Sequence, residues 1–157
     1  MPVSKNEIRA QYPLPVYNYK VEIDGQTVGF SEVSGLSIAR DTTTYVESAV
    51  ANGASGPRRL HMPAQEKPAN ITLKKGVVPS LSLPVFFNWI NSIQLNRVDK
   101  KDIYVRLCDE NGNAVISWKV ANAFPTKLDA PSFSASSNDV AIESMELMAD
   151  SVRVEAA

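Results

Sequence analysis

The sequence predicts a mainly β fold: two packed antiparallel sheets forming a sandwich or barrel, with one flanking α-helix. Three observations carry this reading. Short runs of alternating apolar and polar residues recur along the 157-residue chain, the period that turns one face of a strand inward. A single stretch, about residues 82–95, instead spaces its apolar residues as a helix does. Strands and helices do not alternate, so a parallel sheet built from βαβ units is not expected.

Taken in order, residues 1–16 form an N-terminal arm, which Pro13 and Pro15 favour as extended. Tyr17, Tyr19, Val21 and Ile23 then share one face of a strand, with Asn18, Lys20 and Glu22 on the other. Asp24-Gly25 supplies a turn and Thr27 to Glu32 the returning strand. Gly35 marks a bend or bulge before Leu36 and Ile38. Arg40 to Glu47 has β propensity but little apolar content on either face, and reads either as a solvated edge strand or as the wall of a water-filled channel.

Residues 48–69 lack periodicity and contain Gly53, Gly56, Pro57, Pro63 and Pro68 beside Arg58, Arg59 and His61. An irregular loop of roughly 20 residues in a compact domain is either mobile or functional. Here the choice is between a surface loop and a partner-contacting arm that orders on assembly.

Ile71 and Leu73 mark another strand, ending at Lys74-Lys75-Gly76. In the helix, Phe86, Trp89, Ile90 and Ile93 fall at i, i+3, i+4 and i+7 and form the core face. Ser82 is the expected cap, Pro84 fits the first turn, and Phe87 lies off the stripe, at its margin or in an interface. Asp102 to Cys108 and Ala114 to Asn122 form a hairpin around Asn111-Gly112, and Ala123 to Leu128 continues extended past Pro125. In Val140 to Met148 the apolar residues change register, which predicts a bulge near Glu143 or Ser144. Val152 and Val154 make a last short strand. The whole is expected to be a single domain, 1–157.

Composition narrows the function. The hydrophobic fraction of 44% and charged fraction of 21% are ordinary globular values. The net charge of −1 gives no reason to expect nucleic acid or an anionic membrane as a partner. The N-terminus lacks the apolar stretch of a signal peptide and no window approaches a membrane span, so synthesis in the bacterial cytoplasm without membrane insertion is expected. The one histidine, His61, has no Cys or His cluster for a metal site. No Gly-x-Ser-x-Gly elbow surrounds a serine, and Asn52 to Gly56 lacks the Lys-Ser/Thr of a phosphate loop. No enzyme activity, metal or cofactor is therefore expected. The lone Cys108 reads as a small buried hydrophobe. Acidic residues gather after Ser132 and basic ones in the middle of the chain, which suits solvated faces or complementary surfaces between copies.

Tyr12-Pro13-Leu14-Pro15-Val16-Tyr17 and Gly29 to Leu36 resemble the opening of the contractile tail-tube family. So do Asn70 to Gly76, Trp118 to Pro125 and Asn138 to Leu147, in order along about residues 12–150. That family includes inner-tube proteins of contractile-tailed phages and of extracellular contractile injection systems. The resemblance implies a tail-tube or Hcp-like fold and a structural subunit that assembles into hexameric rings stacked around a lumen. It implies sheath, baseplate or tube-initiator and tail-terminator proteins as partners, with cargo or DNA passing through the lumen. Residues 48–69, with Asn52, Gly53, Arg58, Arg59 and His61, then become an inter-subunit or ring-stacking loop. Tyr12, Pro13 and Leu14 become N-terminal arm contacts, and Thr42 and Thr44 gain a lumen-facing role. A baseplate-proximal initiator or a type VI secretion ring protein would share these features. A monomeric ligand-binding β-sandwich is the reading from a different class, and it would present an aromatic-lined groove.

Overall fold

A computed structural model describes residues 2–50, 52, 53 and 55–157. The expected loop thus includes two positions, Ala51 and Ala54, that lie outside the described residues. Among the described residues, eight of the ten strands form two antiparallel layers sharing one long strand, and two helices and a separate two-stranded hairpin lie beside them. In the first layer, β1 (Tyr19–Ile23) pairs with β2 (Gln26–Val28) and with β7 (Lys101–Cys108), which pairs with β8 (Ala114–Asp129). The final strand, β10 (Ser151–Ala156), lies on the other side of β8. The second layer runs from the far half of β8 through β9 (Ile142–Ala149) and β6 (Ala69–Gly76) to β3 (Glu32–Ser34).

Strand β8 changes layers at Asn122. Its backbone there is left-handed, at φ 54°, a conformation that asparagine tolerates better than most residues. Asp102 accepts a hydrogen bond from the Asn122 N–H at 3.0 Å, and the Asn122 amide donates to Asp150 at 2.9 Å. The pairing with β7 slips beside this point, and that with β9 slips again after Pro125. Pro125 therefore remains inside the strand, at an irregularity where its missing N–H is tolerated.

The core between the layers follows the alternation in the sequence. Val21, Ile23, Ile103, Val105, Val120 and Val152 come from the first layer, and Ile71, Leu73, Met145 and Leu147 from the second. Cys108 is buried and unpaired. Gly35 carries φ +86°, and a Cβ built there would run into the Asn70 carbonyl oxygen of β6, so only glycine lets the chain pass this close.

The helix, α2, spans residues 79–91 and differs from expectation at both ends. It begins a turn earlier, at Pro79 in its preferred first-turn position. Ser82 is therefore not the cap; it lies inside the helix, where its hydroxyl accepts from the Val78 N–H at 3.0 Å. Pro84 falls at a wide π turn, Leu83–Phe87, closed by the Asn88 N–H on the Leu83 carbonyl. Proline cannot donate the ordinary helical bond, and the wider turn absorbs that loss. The extra residue lets both Val85 and Phe86 face the core while Phe87 is left exposed. Trp89 is buried and donates to the Asp99 carbonyl at 2.7 Å, whereas Ile90 and Ile93 are half-buried. The helix ends at Asn91 with Ser92 as cap, short of the expected Leu95.

Three further expectations are corrected. The N-terminal arm is not extended throughout: Lys5–Gln11 is a helix, α1, closed by a capping box in which Ser4 and Glu7 bond each other's backbone N–H. Residues 48–69 are not one loop, because Arg58–Glu66 is a strand, β5, paired with β4 (Arg40–Glu47). The bulge expected near Glu143 is absent, and β6 and β9 pair in unbroken register. Instead Glu143 itself lies on the buried face, directly opposite Lys75.

That pair is compensated locally. Lys75 Nζ lies 3.1 Å from Glu143 Oε1, donates to Ser82 Oγ at 2.8 Å and to the Gly76 carbonyl at 3.1 Å, and sits 5.4 Å from the Phe86 ring centre. The ammonium thus ties α2 to both strands beneath it.

Two outcomes follow for unfolding measurements. Gly35→Ala should destabilise the domain by about 2 kcal/mol or more, while Gly29→Ala, which meets nothing within 4 Å, should leave the denaturant midpoint nearly unchanged. Lys75→Met should cost about 3 kcal/mol or more by stranding a buried carboxylate, and the double change Lys75→Met with Glu143→Leu should recover most of the loss.

Candidate assembly surfaces

Strands β4 and β5 form a separate two-stranded sheet that is hydrogen-bonded into neither layer. None of their residues is buried. The register sorts the side chains onto two unlike faces. Thr43 lies opposite Met62, Tyr45 opposite Leu60 and Glu47 opposite Arg58, which makes one face mainly apolar with an ion pair of 3.8 Å near its tip. Thr42, Thr44 and Val46 lie opposite Pro63, His61 and Arg59, which makes the other face mainly polar. Thr44 and His61 are hydrogen-bonded at 3.0 Å on that face. Asn52 and Gly53 sit in the turn beyond the strands.

The structure thus gathers Thr42, Thr44, Arg59 and His61 on one surface and sets Arg58 apart on the opposite one. The apolar face was missed in the sequence because its residues come from two strands, one of which contains Pro63. The alternation Arg58-Leu60-Met62 against Arg59-His61-Pro63 was the signal available.

A second surface forms where the N-terminal arm meets the β7–β8 turn. Arg9 of α1 reaches Asp109 at 3.6 Å and Glu110 at 3.3 Å. Tyr12, Pro13 and Leu14 line a hollow beside them with Ile8, Tyr17 and Val115. The Glu7 carboxyl is held below its ordinary value of 4.5 by its hydrogen bonds to the Ser4 backbone N–H and hydroxyl.

A third surface is an open groove of about 440 Å³ between the layers, lined by Val16, Tyr19, Val33, Leu36, Leu107 and Trp118. Tyr19 donates to the Phe30 carbonyl at 2.6 Å. Burial raises its phenol, and the nearby Glu32 charge adds to the shift. A fourth lies between α2 and the segment before β9, with Glu143 at its floor. In the third and fourth surfaces the convergent groups are mainly apolar side chains, as suits surfaces for covering. Among the described residues no group of His, Cys, Asp and Glu is arranged to hold a metal, and no helix is long and apolar enough to cross a membrane.

Comparison with known proteins adds the context. The family model described as T4-like virus tail tube protein gp19 matches residues 15–153. Among solved structures, a chain of the PVC sheath–tube complex of an extracellular contractile injection system, in its extended state, is 43% identical. The match covers 99% of this chain and 100% of that one, with a TM-score of 0.87. A chain of the anti-feeding prophage cap, its tube terminating cap, is also 43% identical over 94% of this chain and 93% of that one, at 0.82. A chain of the anti-feeding prophage baseplate shares the fold at 19% identity, covering 88% and 91%, with a TM-score of 0.70. Comparison with curated proteins returned no match.

The capping box sets a pH dependence. Because the folded Glu7 carboxyl is lowered, its support of α1 is complete above the ordinary carboxylate value and is lost as pH falls through the lowered one. The protection of the Glu7 and Ile8 amides, measured against the exchange of an unstructured chain at the same pH, should therefore fall on acidification through that window, and Glu7→Gln should remove this step.

Proposed function

The chain belongs to the T4-like virus tail tube protein family, and on that premise we propose that it is a non-enzymatic structural subunit of the inner tube of a contractile injection machine. Copies assemble into hexameric rings, and the rings stack around a lumen. The observation that carries this is full-length similarity, at 43% identity, to a chain of a sheath–tube complex. The lower identity to the baseplate chain, 19%, favours the main tube over a baseplate-proximal initiator. A sheath around the tube, a terminator at one end and a baseplate at the other are the partners this reading implies, and cargo or DNA is what the lumen would pass.

The surfaces of the monomer fit a polymer. Strands β2, β3 and β10 each lie at a sheet edge, and edges that join between copies lose their unpaired backbone groups. A heterologous contact that closes into a ring limits lateral growth. The β4–β5 hairpin, with Asn52 and Gly53 at its tip and Arg58 at its end, is the stacking arm. Thr42, Thr44, Arg59 and His61 form the face that meets water in the lumen. Tyr12, Pro13 and Leu14 of the N-terminal arm contact a neighbouring subunit.

Size-exclusion chromatography with negative-stain microscopy of the purified protein tests the assembly. Rings or tubes with a central lumen are expected; a stable monomer at high concentration, even beside sheath and baseplate components, would overturn the reading. Replacing residues 52–57 by a short turn should leave the unfolding midpoint within about 0.5 kcal/mol of the parent but reduce ring stacking. Unfolding of that variant would instead make the tip part of the core.

A further inference from the structure

The hollow between α2 and the segment before β9 is mainly apolar, with Glu143 as its buried carboxylate and with Ser82 and the more exposed Asp129, paired with Lys127, also on its lining. Val77, Leu83, Phe87, Leu128 and Phe133 line two adjoining spaces of about 360 Å³ each, and Glu143 lines both. Leu83, Phe87 and Phe133 remain exposed there, Phe133 at 86%. Glu143 is 8% exposed, and its Oε1 touches the Lys75 ammonium without a well-aimed hydrogen bond. Lys75 donates to Ser82 and to the Gly76 carbonyl, and meets that oxygen only as an ion pair at 3.1 Å. No hydrogen bond to the other oxygen of Glu143 is found among the described residues. An occupant that covers Glu143 must therefore be mainly apolar and must bring a donor to it, because a covered carboxylate oxygen without a donor is costly.

One exposed surface of the same chain has that composition. The mainly apolar face of the hairpin presents Leu60 and Met62 around Tyr45, whose hydroxyl is a donor at the centre of the patch, with Thr43 beside Met62 and the Glu47–Arg58 ion pair beyond Leu60. Tyr45 is 51% and Met62 44% exposed, and the hairpin has no sheet of its own chain to lie on.

We propose that the groove floored by Glu143 is the seat for the hairpin of a second copy, with Tyr45, Leu60 and Met62 filling it and the Tyr45 hydroxyl donating to the free oxygen of Glu143. The contact is heterologous, arm of one copy into groove of the next, and so propagates along a stack. It also gives the hairpin's two faces separate tasks: the apolar face holds a neighbour, and the polar face is left to water. A phenol-to-carboxylate bond is short and charge-assisted, and its donor cannot be replaced by an aliphatic side chain. This rests on the polymeric reading above and names the contact within it.

The test uses the full chain. A variant carrying Met62→Cys and Leu83→Cys, both at exposed positions, is assembled and oxidised. A ladder of disulfide-linked oligomers should appear on a non-reducing gel, whereas the control pair Met62→Cys with Leu95→Cys should give none. Separately, Tyr45→Phe should raise the protein concentration needed for tube formation by about tenfold while leaving the unfolding midpoint unchanged. Tubes that form without the ladder, a link formed within one chain, or a Tyr45→Phe protein that assembles like the parent would each overturn the proposal and leave the tube reading intact. Failure of the parent protein itself to form rings or tubes would instead overturn the tube reading.

Discussion

Both layers of this domain depend on a single strand, and on the point where that strand changes allegiance. Strand β8 pairs with β10 up to Ala121 and with β7, across a register slip, up to Ala123; from Phe124 onward it pairs with β9. The transition is made by Asn122, in a left-handed conformation held by Asp102 and Asp150. Because backbone bonds continue through the corner, the two layers cannot slide relative to each other without breaking β8. The apolar faces are thereby fixed opposite one another, and Val120 and Leu147 meet in one core.

The second tie is the charged contact under the helix. Burying an ammonium and a carboxylate together rarely adds much stability relative to an apolar pair. Its effect here is positional. Lys75 joins β6 to β9 and to Ser82, so the helix has one preferred seat where a purely apolar surface would allow several. The same contact leaves a carboxylate oxygen at the base of an open groove.

Much of the fold was legible because strand alternation is local. Val21 with Ile23, Ile71 with Leu73 and Ile103 with Val105 announce their faces within a few residues. The Asn111-Gly112 turn likewise announces its hairpin. What escaped was of two kinds. Some signals were local but overridden: Ser4 and Glu7 spell a capping box, yet Pro13 and Pro15 drew the arm toward an extended reading. Pro63 similarly disguised β5. Other features were not local at all. A charged residue on the buried face of a strand is rare, so Glu143 looked like a register slip; only its partner in a distant strand explains it. The amphipathic character of the hairpin was hidden for the same reason, since neither strand carries the apolar face alone. The helix start moved because Pro79, not Ser82, supplies the first turn. The family likeness was legible from motifs that combine turns and strand ends, such as Gly29 to Leu36, where Gly35 is required by a close backbone approach.

A hairpin with neither face covered is a poor investment for an isolated chain, since two strands alone are marginally stable in water. On the proposed seating, most of the stabilisation of β4 and β5 comes from a neighbouring copy. Polymer growth and nucleation then differ in kind. A subunit arriving at an existing end finds its neighbour's surface ready, while the first few copies must order their arms with little in return. On that seating, such a subunit would be slow to start tubes in free solution and quick to extend one already begun. Where a tube begins is thereby placed under the control of whatever offers the first template.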